Sequence, residues 1–96
     1  MKKEAIVEIL KKLNSEVEGR YKASLVGLFG SFARGEEGRS SDVDILVDFK
    51  ENADLIDCLG LSIFLEEKLG SKVDIVPRDT LRSEIRENVL KETVYL

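Results

Sequence analysis

Apolar residues recur at spacings of three and four from Lys2 to Val17. Ile6, Ile9, Leu10, Leu13 and Val17 form one stripe of an amphipathic helix, and Gly19 follows as its stop. The run "ASLVGLF", Ala23 to Phe29, predicts a short buried strand. Gly30 to Ser41 is rich in Gly, Ser and charge, which predicts a turn with one helical turn over Ser31 to Arg34 and then an exposed loop. The period changes to two from Asp42: Val43, Ile45, Val47 and Phe49 alternate with Asp42, Asp44, Leu46 and Asp48, so the aspartates share the face of a strand opposite the first set. A helix is predicted from Ala53 to Leu69, capped by Asn52, with Leu55, Ile56, Leu59, Ile63 and Phe64 inward and Gly70 as its stop. "KVDIV", Lys72 to Val76, predicts a third strand ended by Pro77. A last helix capped by Asp79 or Thr80 carries Leu81, Ile85, Val89 and Val94. The order helix, strand, strand, helix, strand, helix is that of a small α/β domain.

Composition narrows the function classes. The chain of 96 residues fits one domain, 1–96, with no linker, repeat or low-complexity segment. A chain of this size buries only ~60–65% of its unfolded surface, so its stability is modest. With no apolar run of membrane-spanning length and a charged N-terminus, the expected location is cytoplasmic, without membrane attachment. Cys58 is the one cysteine and histidine is absent, which removes an intramolecular disulfide, Ser-His-Asp triads and most zinc sites. A net charge of -4 argues against general nucleic-acid binding, which requires a basic footprint.

The chemistry concentrates in "GLFGSFARGEEGRSSDVDILVDF", Gly27 to Phe49. Asp42 and Asp44, two apart on one strand, place their Cα atoms about 6.6 Å apart with both carboxylates on one face. Paired carboxylates repel unless a cation lies between them. Magnesium suits such a pair, because it takes one or two carboxylates and completes its shell with water and phosphate oxygens. Asp74 completes the cluster as a ligand or a base if its strand is a sheet neighbour. Upstream, Gly30 lets the backbone approach a ligand closely, the Ser31 hydroxyl supplies a hydrogen bond, and Arg34 supplies charge to a triphosphate. Gly30 and Gly35 have the P-loop glycine spacing, but Glu36 stands where the P-loop lysine belongs. Asp48 shares the aspartate face but falls too far along the strand to join the site.

These residues resemble the minimal nucleotidyltransferases, the small branch of the DNA polymerase β-like superfamily: a Gly-Ser turn, a spacer, then Asp-x-Asp on a strand. "LEEKLGSKVDIV" is similar to the family's segment with the third carboxylate, and "VLKETVYL" to its usual ending. Phe32 stands at a spacer position where the family often carries a basic residue. The resemblance implies a small mixed β-sheet packed with helices, the nucleotidyltransferase fold, in a single domain. It implies that Asp42 and Asp44 bind magnesium, as a pair of Mg2+ ions, that Asp74 is the third catalytic carboxylate, and that Gly30 and Ser31 hold the triphosphate. The implied reaction moves a nucleoside monophosphate, AMP from ATP, to a hydroxyl and releases pyrophosphate.

The resemblance further implies a partner. Such proteins are often encoded beside a HEPN-domain ribonuclease toxin and act as its antitoxin, and some adenylylate a tyrosine on it. Larger relatives carry further domains to grip the acceptor, so an acceptor with its own docking surface, a protein, is expected here. The alternative is a non-catalytic antitoxin that neutralises its partner by binding alone. Transfer to a small molecule is a weaker third reading.

Overall fold

The computed structural model describes residues 2–36, 38 and 42–96. Its elements are α1 (Lys3–Tyr21), β1 (Ala23–Phe29), α2 (Gly30–Arg34), β2 (Val43–Phe49), α3 (Leu55–Leu69), β3 (Val73–Pro77), a 3-10 turn (Arg78–Thr80), α4 (Ser83–Glu92) and β4 (Val94–Tyr95). The four strands form one mixed sheet in the order β3-β2-β1-β4. β1 runs antiparallel to both β2 and β4, and β2 runs parallel to β3. The expected mixed sheet packed with helices is therefore what forms.

One face of the sheet makes the core. Val43, Ile45 and Val47 from β2 and Ala23, Leu25 and Leu28 from β1 pack with Ile6, Leu10 and Val17 from α1 and Leu61, Phe64, Leu65 and Leu69 from α3. In β1 the inward spacing slips from two to three because the pairing with β2 shifts between Leu25 and Gly27. A bulge of this kind inserts one residue and bends the strand. Alternation then sends Asp44, Leu46 and Asp48 to the opposite face. Leu46 is nevertheless fully buried, outside the main cluster, so this second face is covered as well.

Several sequence expectations are corrected. Helix α1 runs through Gly19 to Tyr21 and ends at Lys22, whose φ is 53°. Val17 is fully buried just before this point, and Arg20 pairs with Glu16 at 2.7 Å and lies over the Tyr21 and Phe64 rings. These contacts outweigh the roughly 1 kcal/mol that a helical glycine costs. Helix α3 begins at Leu55 rather than Ala53, because Asp54 and Asp57 form a reciprocal capping box where Asn52 was expected to cap.

The inward face of α3 is also different. Leu55, Ile56, Leu59 and Ile63 are 56–78% exposed, and of the expected set Phe64 alone is buried. The helix is apolar on more than one side, and tertiary packing selects Leu61, Phe64, Leu65 and Leu69.

The end of the chain holds the largest difference. Helix α4 starts at Ser83, leaving Leu81 in the preceding connection, and it buries no residue. Val94 lies in an unexpected strand, β4, which pairs with β1 through Gly27↔Tyr95 and Leu28↔Val94. Gly27 permits the approach: a methyl group there would stand 2.5 Å from the Val94 carbonyl oxygen and 2.6 Å from Thr93 Cγ2. The segment is tied down by Leu96 N–H donating to Val26 O at 3.1 Å and by the buried Thr93, whose hydroxyl donates to Val89 O at 2.7 Å.

Candidate active site

The sheet order decides where the singled-out residues meet. β1 and β2 are antiparallel neighbours, so the C-terminal end of β1 lies beside the N-terminal end of β2, and Phe29 is opposite Asp44. β3 is parallel to β2, so its own start lies at the same end, and Asp44 is in register with Asp74. Adjacent strands lie about 4.8 Å apart, and in-register residues project from the same face. Asp42, Asp44 and Asp74 thus share one end of one face, with Asp44 on the central strand between the turn after β1 and the carboxylate of β3. Asp42 and Asp74 are exposed, whereas Asp44 is half-buried.

The electrostatics single out Asp44. Burial, then the Asp74 and Asp42 carboxylates, push its carboxyl up from 3.8 to about 6, with Arg34 pulling it down and Glu92 adding to the rise. A cation beside a half-buried acid among like charges favours its ionised form. The donor set is all hard oxygen, which fits magnesium, and softer metals would call for nitrogen or sulfur. Among the described residues no three carboxylates already close into a metal cage. The arrangement suits an ion that draws only one or two ligands from protein and the rest from water and phosphate.

Gly30 forms the wall of this site. Its φ is +76°, which favours glycine, and a methyl group there would overlap Asp44 Oδ2 and lie 3.0 Å from Asp44 Cγ. The turn can pass against the carboxylate only without a side chain. Ser31 follows in the first turn of α2, and its carbonyl accepts the Glu36 N–H at 2.8 Å. Phe32, at the spacer position, is 7% exposed and belongs to the core. A basic residue there would face apolar side chains.

Arg34 lies on the same rim. Its Nε donates to both oxygens of Glu36 at 3.2–3.3 Å, and its Nη1 donates to both oxygens of Glu92 at 3.2 Å. Glu92 Oε1 also accepts the Gly30 N–H at 3.2 Å. Sequence reasoning did not single out Glu92, because its place depends on β4 returning α4 to the end of β1. The β-prone "TVYL" after the helix was the available signal. Asp48, on the same face, is held by Arg78 in a bidentate pair, with Nε donating to Oδ1 at 2.9 Å and Nη2 to Oδ2. That pairing lowers the Asp48 pKa. Glu37 and Arg39, expected in the solvated loop with Glu36, lie outside the described residues.

A glycine turn and a carboxylate cluster at one end of a mixed sheet define a class, and comparison with known proteins agrees. Residues 6–96 match the model of the nucleotidyltransferase domain, and the chain belongs to this family. It is similar to the protein adenylyltransferase MntA of Thermococcus cleftensis, with 43% identity over 93 residues, covering 97% of this chain and 94% of that protein. Among solved structures it is similar to one assigned to the minimal nucleotidyltransferases, with a TM-score of 0.83, 38% identity, and coverage of 100% of this chain and 97% of that one. It is also similar to a chain of a toxin–antitoxin structure with AMP-PNP, with a TM-score of 0.68, 26% identity, and coverage of 99% of this chain and 72% of that one. The chain is a nucleotidyltransferase.

Proposed function

We propose that this chain, read as one minimal nucleotidyltransferase domain over 1–96, transfers AMP from ATP to a hydroxyl of a partner protein. The acceptor in this reading is a tyrosine of a HEPN-type ribonuclease toxin, which the transfer neutralises, so that the chain acts as an antitoxin in the cytoplasm. The observation that carries the reading is the position of Asp44. It is half-buried beside Asp74 and Asp42, its carboxyl is pushed up to about 6, and Gly30 is packed directly against it. The similarity to a protein adenylyltransferase and to a toxin–antitoxin chain with AMP-PNP supports the choice of donor and partner. No helix among the described residues is long and apolar enough to cross a membrane.

In this mechanism Asp42 and Asp44, with Asp74 across the strand pair, would hold a pair of magnesium ions, which would supply neutralisation of phosphate charge and activation of the attacking hydroxyl. A cation would favour ionisation of Asp44, which burial and two like charges oppose. Asp74 is exposed at the edge strand, where an incoming hydroxyl can reach it, so it accepts the acceptor's proton or orients it. Gly30 supplies its backbone N–H to a phosphate oxygen, and its missing side chain leaves room beside Asp44. Ser31 adds a hydroxyl, and Arg34 aims a planar guanidinium at the same rim. The acceptor oxygen bonds to the α-phosphorus as the bond to pyrophosphate breaks, so the transferred group is the nucleoside monophosphate.

The test is transfer of label from α-labelled ATP, with magnesium, to the co-purified partner by wild type and Asp44→Asn. Label on the partner with wild type alone establishes the reaction and allows the acceptor residue to be mapped. A stable complex that stays unlabelled with each of the four nucleoside triphosphates establishes a binding antitoxin instead.

A further inference from the structure

The two groups assigned to phosphate, the Gly30 N–H and the Arg34 guanidinium, already share one acceptor. Glu92 Oε1 takes the Gly30 N–H at 3.2 Å and an Arg34 Nη1 hydrogen at 3.2 Å, and Oε2 takes Nη1 at 3.2 Å. A carboxylate bridging a backbone amide and a guanidinium satisfies the same donors that two oxygens of a phosphate would satisfy. We infer that Glu92 is an internal competitor for the phosphate site: it occupies these donors in the nucleotide-free chain and is displaced when a triphosphate binds. The inference rests on the reading of Gly30 and Arg34 as phosphate donors, and it adds a residue that sets how tightly the site takes its nucleotide.

The fold makes this exchange feasible. Glu92 is the last residue of α4, and the next residues are fixed by β4 and by the Thr93 bonds to Val89. The backbone therefore returns the carboxylate to the same place, while the side chain is free to rotate away, since its bonds to Gly30 and Arg34 are its only tether among the described residues. Its ion pair with Arg34 is solvent-accessible, with side-chain exposures of 46% for Arg34 and 30% for Glu92. An exposed pair of this kind contributes little. A triphosphate carries more charge and engages Arg34 more strongly. Glu36 holds the Nε side of Arg34, so the guanidinium keeps its orientation while Glu92 leaves.

Removing this competition tightens binding by up to about 5-fold. The experiment titrates inorganic triphosphate into wild type, Glu92→Gln, Glu92→Ala and Arg34→Ala by calorimetry, with unliganded thermal unfolding as the check on the fold. The expected result is tighter binding by both Glu92 variants, weaker binding by Arg34→Ala, and an unliganded Tm close to wild type. A merely structural role for Glu92 cannot tighten binding. Unchanged or weaker binding by the Glu92 variants, with Arg34→Ala still impaired, overturns the competitor and leaves the phosphate site standing. Binding by Arg34→Ala equal to wild type removes the donor assignment and the competitor with it.

Discussion

Replacing Asp44 by Asn should stabilise the fold while abolishing transfer. The substitution removes a charge without changing shape. In the native chain the Asp44 carboxyl is pushed up from 3.8 to about 6 by burial and by the Asp74 and Asp42 carboxylates. Because the raised value means tighter proton binding in the folded state than in the unfolded one, the folded state holds more protons between about pH 4 and 6. Its stability therefore falls as pH rises through that window, and the penalty is fully present above about pH 6. At 1.36 kcal/mol per pH unit the gap corresponds to roughly 3 kcal/mol. Partial solvent access of the carboxylate discounts this to ~1–2 kcal/mol. For a domain of this size 1 kcal/mol moves Tm by about 4–8 °C.

Urea unfolding of both proteins from pH 4.5 to 8 measures it. The gap narrows toward the acid end, to about a third of its full size at pH 4.5, and Asp44→Asn gains ~1–2 kcal/mol above pH 6.5. Magnesium at pH 8 narrows the gap by stabilising wild type more. An Asp44→Asn protein equal to or less stable than wild type at pH 8, or a gap that does not change with pH, would refute the electrostatic reasoning.

Gly30→Ala combines a strained φ with overlap of Asp44, and it should lower stability by about 1–3 kcal/mol and remove transfer, checked by denaturation and the label assay. Leu61→Ala, in the core, should cost ~2–5 kcal/mol, whereas Leu59→Ala, on the exposed side of the same helix, should stay within about 0.5 kcal/mol of wild type; similar losses at both positions would show that α3 buries its other face. Lys22→Gly relieves a left-handed residue at the end of α1 and should raise Tm, by up to about 1 kcal/mol in stability, because the Lys22–Asp57 ion pair it removes is long, at 3.9 Å, and solvent-accessible on the lysine side.

The sequence alone determined the elements whose pattern admits a single reading. The β1 boundaries, the two-residue alternation of β2 and the glycine turn with its Asp-x-Asp could be read from spacing, because a strand's period and a glycine's freedom are local properties. Local chemistry also marked the acids that the sheet brings to one end of one face, and it set Asp48 aside, although its partner Arg78 was not visible. Other features belonged to tertiary structure. Helix α3 is apolar on several sides, and its buried face was settled by what α1 and the sheet offered to pack against. Gly19 did not stop α1, because Val17 and the Arg20 contacts outweighed a weak propensity. Strand β4 exists because β1 has a free edge and Gly27 has no side chain, neither of which shows in the two residues Val94 and Tyr95 themselves. The position of Glu92 on the phosphate donors depends on that closure. It is separated by 62 residues from the glycine whose amide it holds, and only the folded sheet brings the two together.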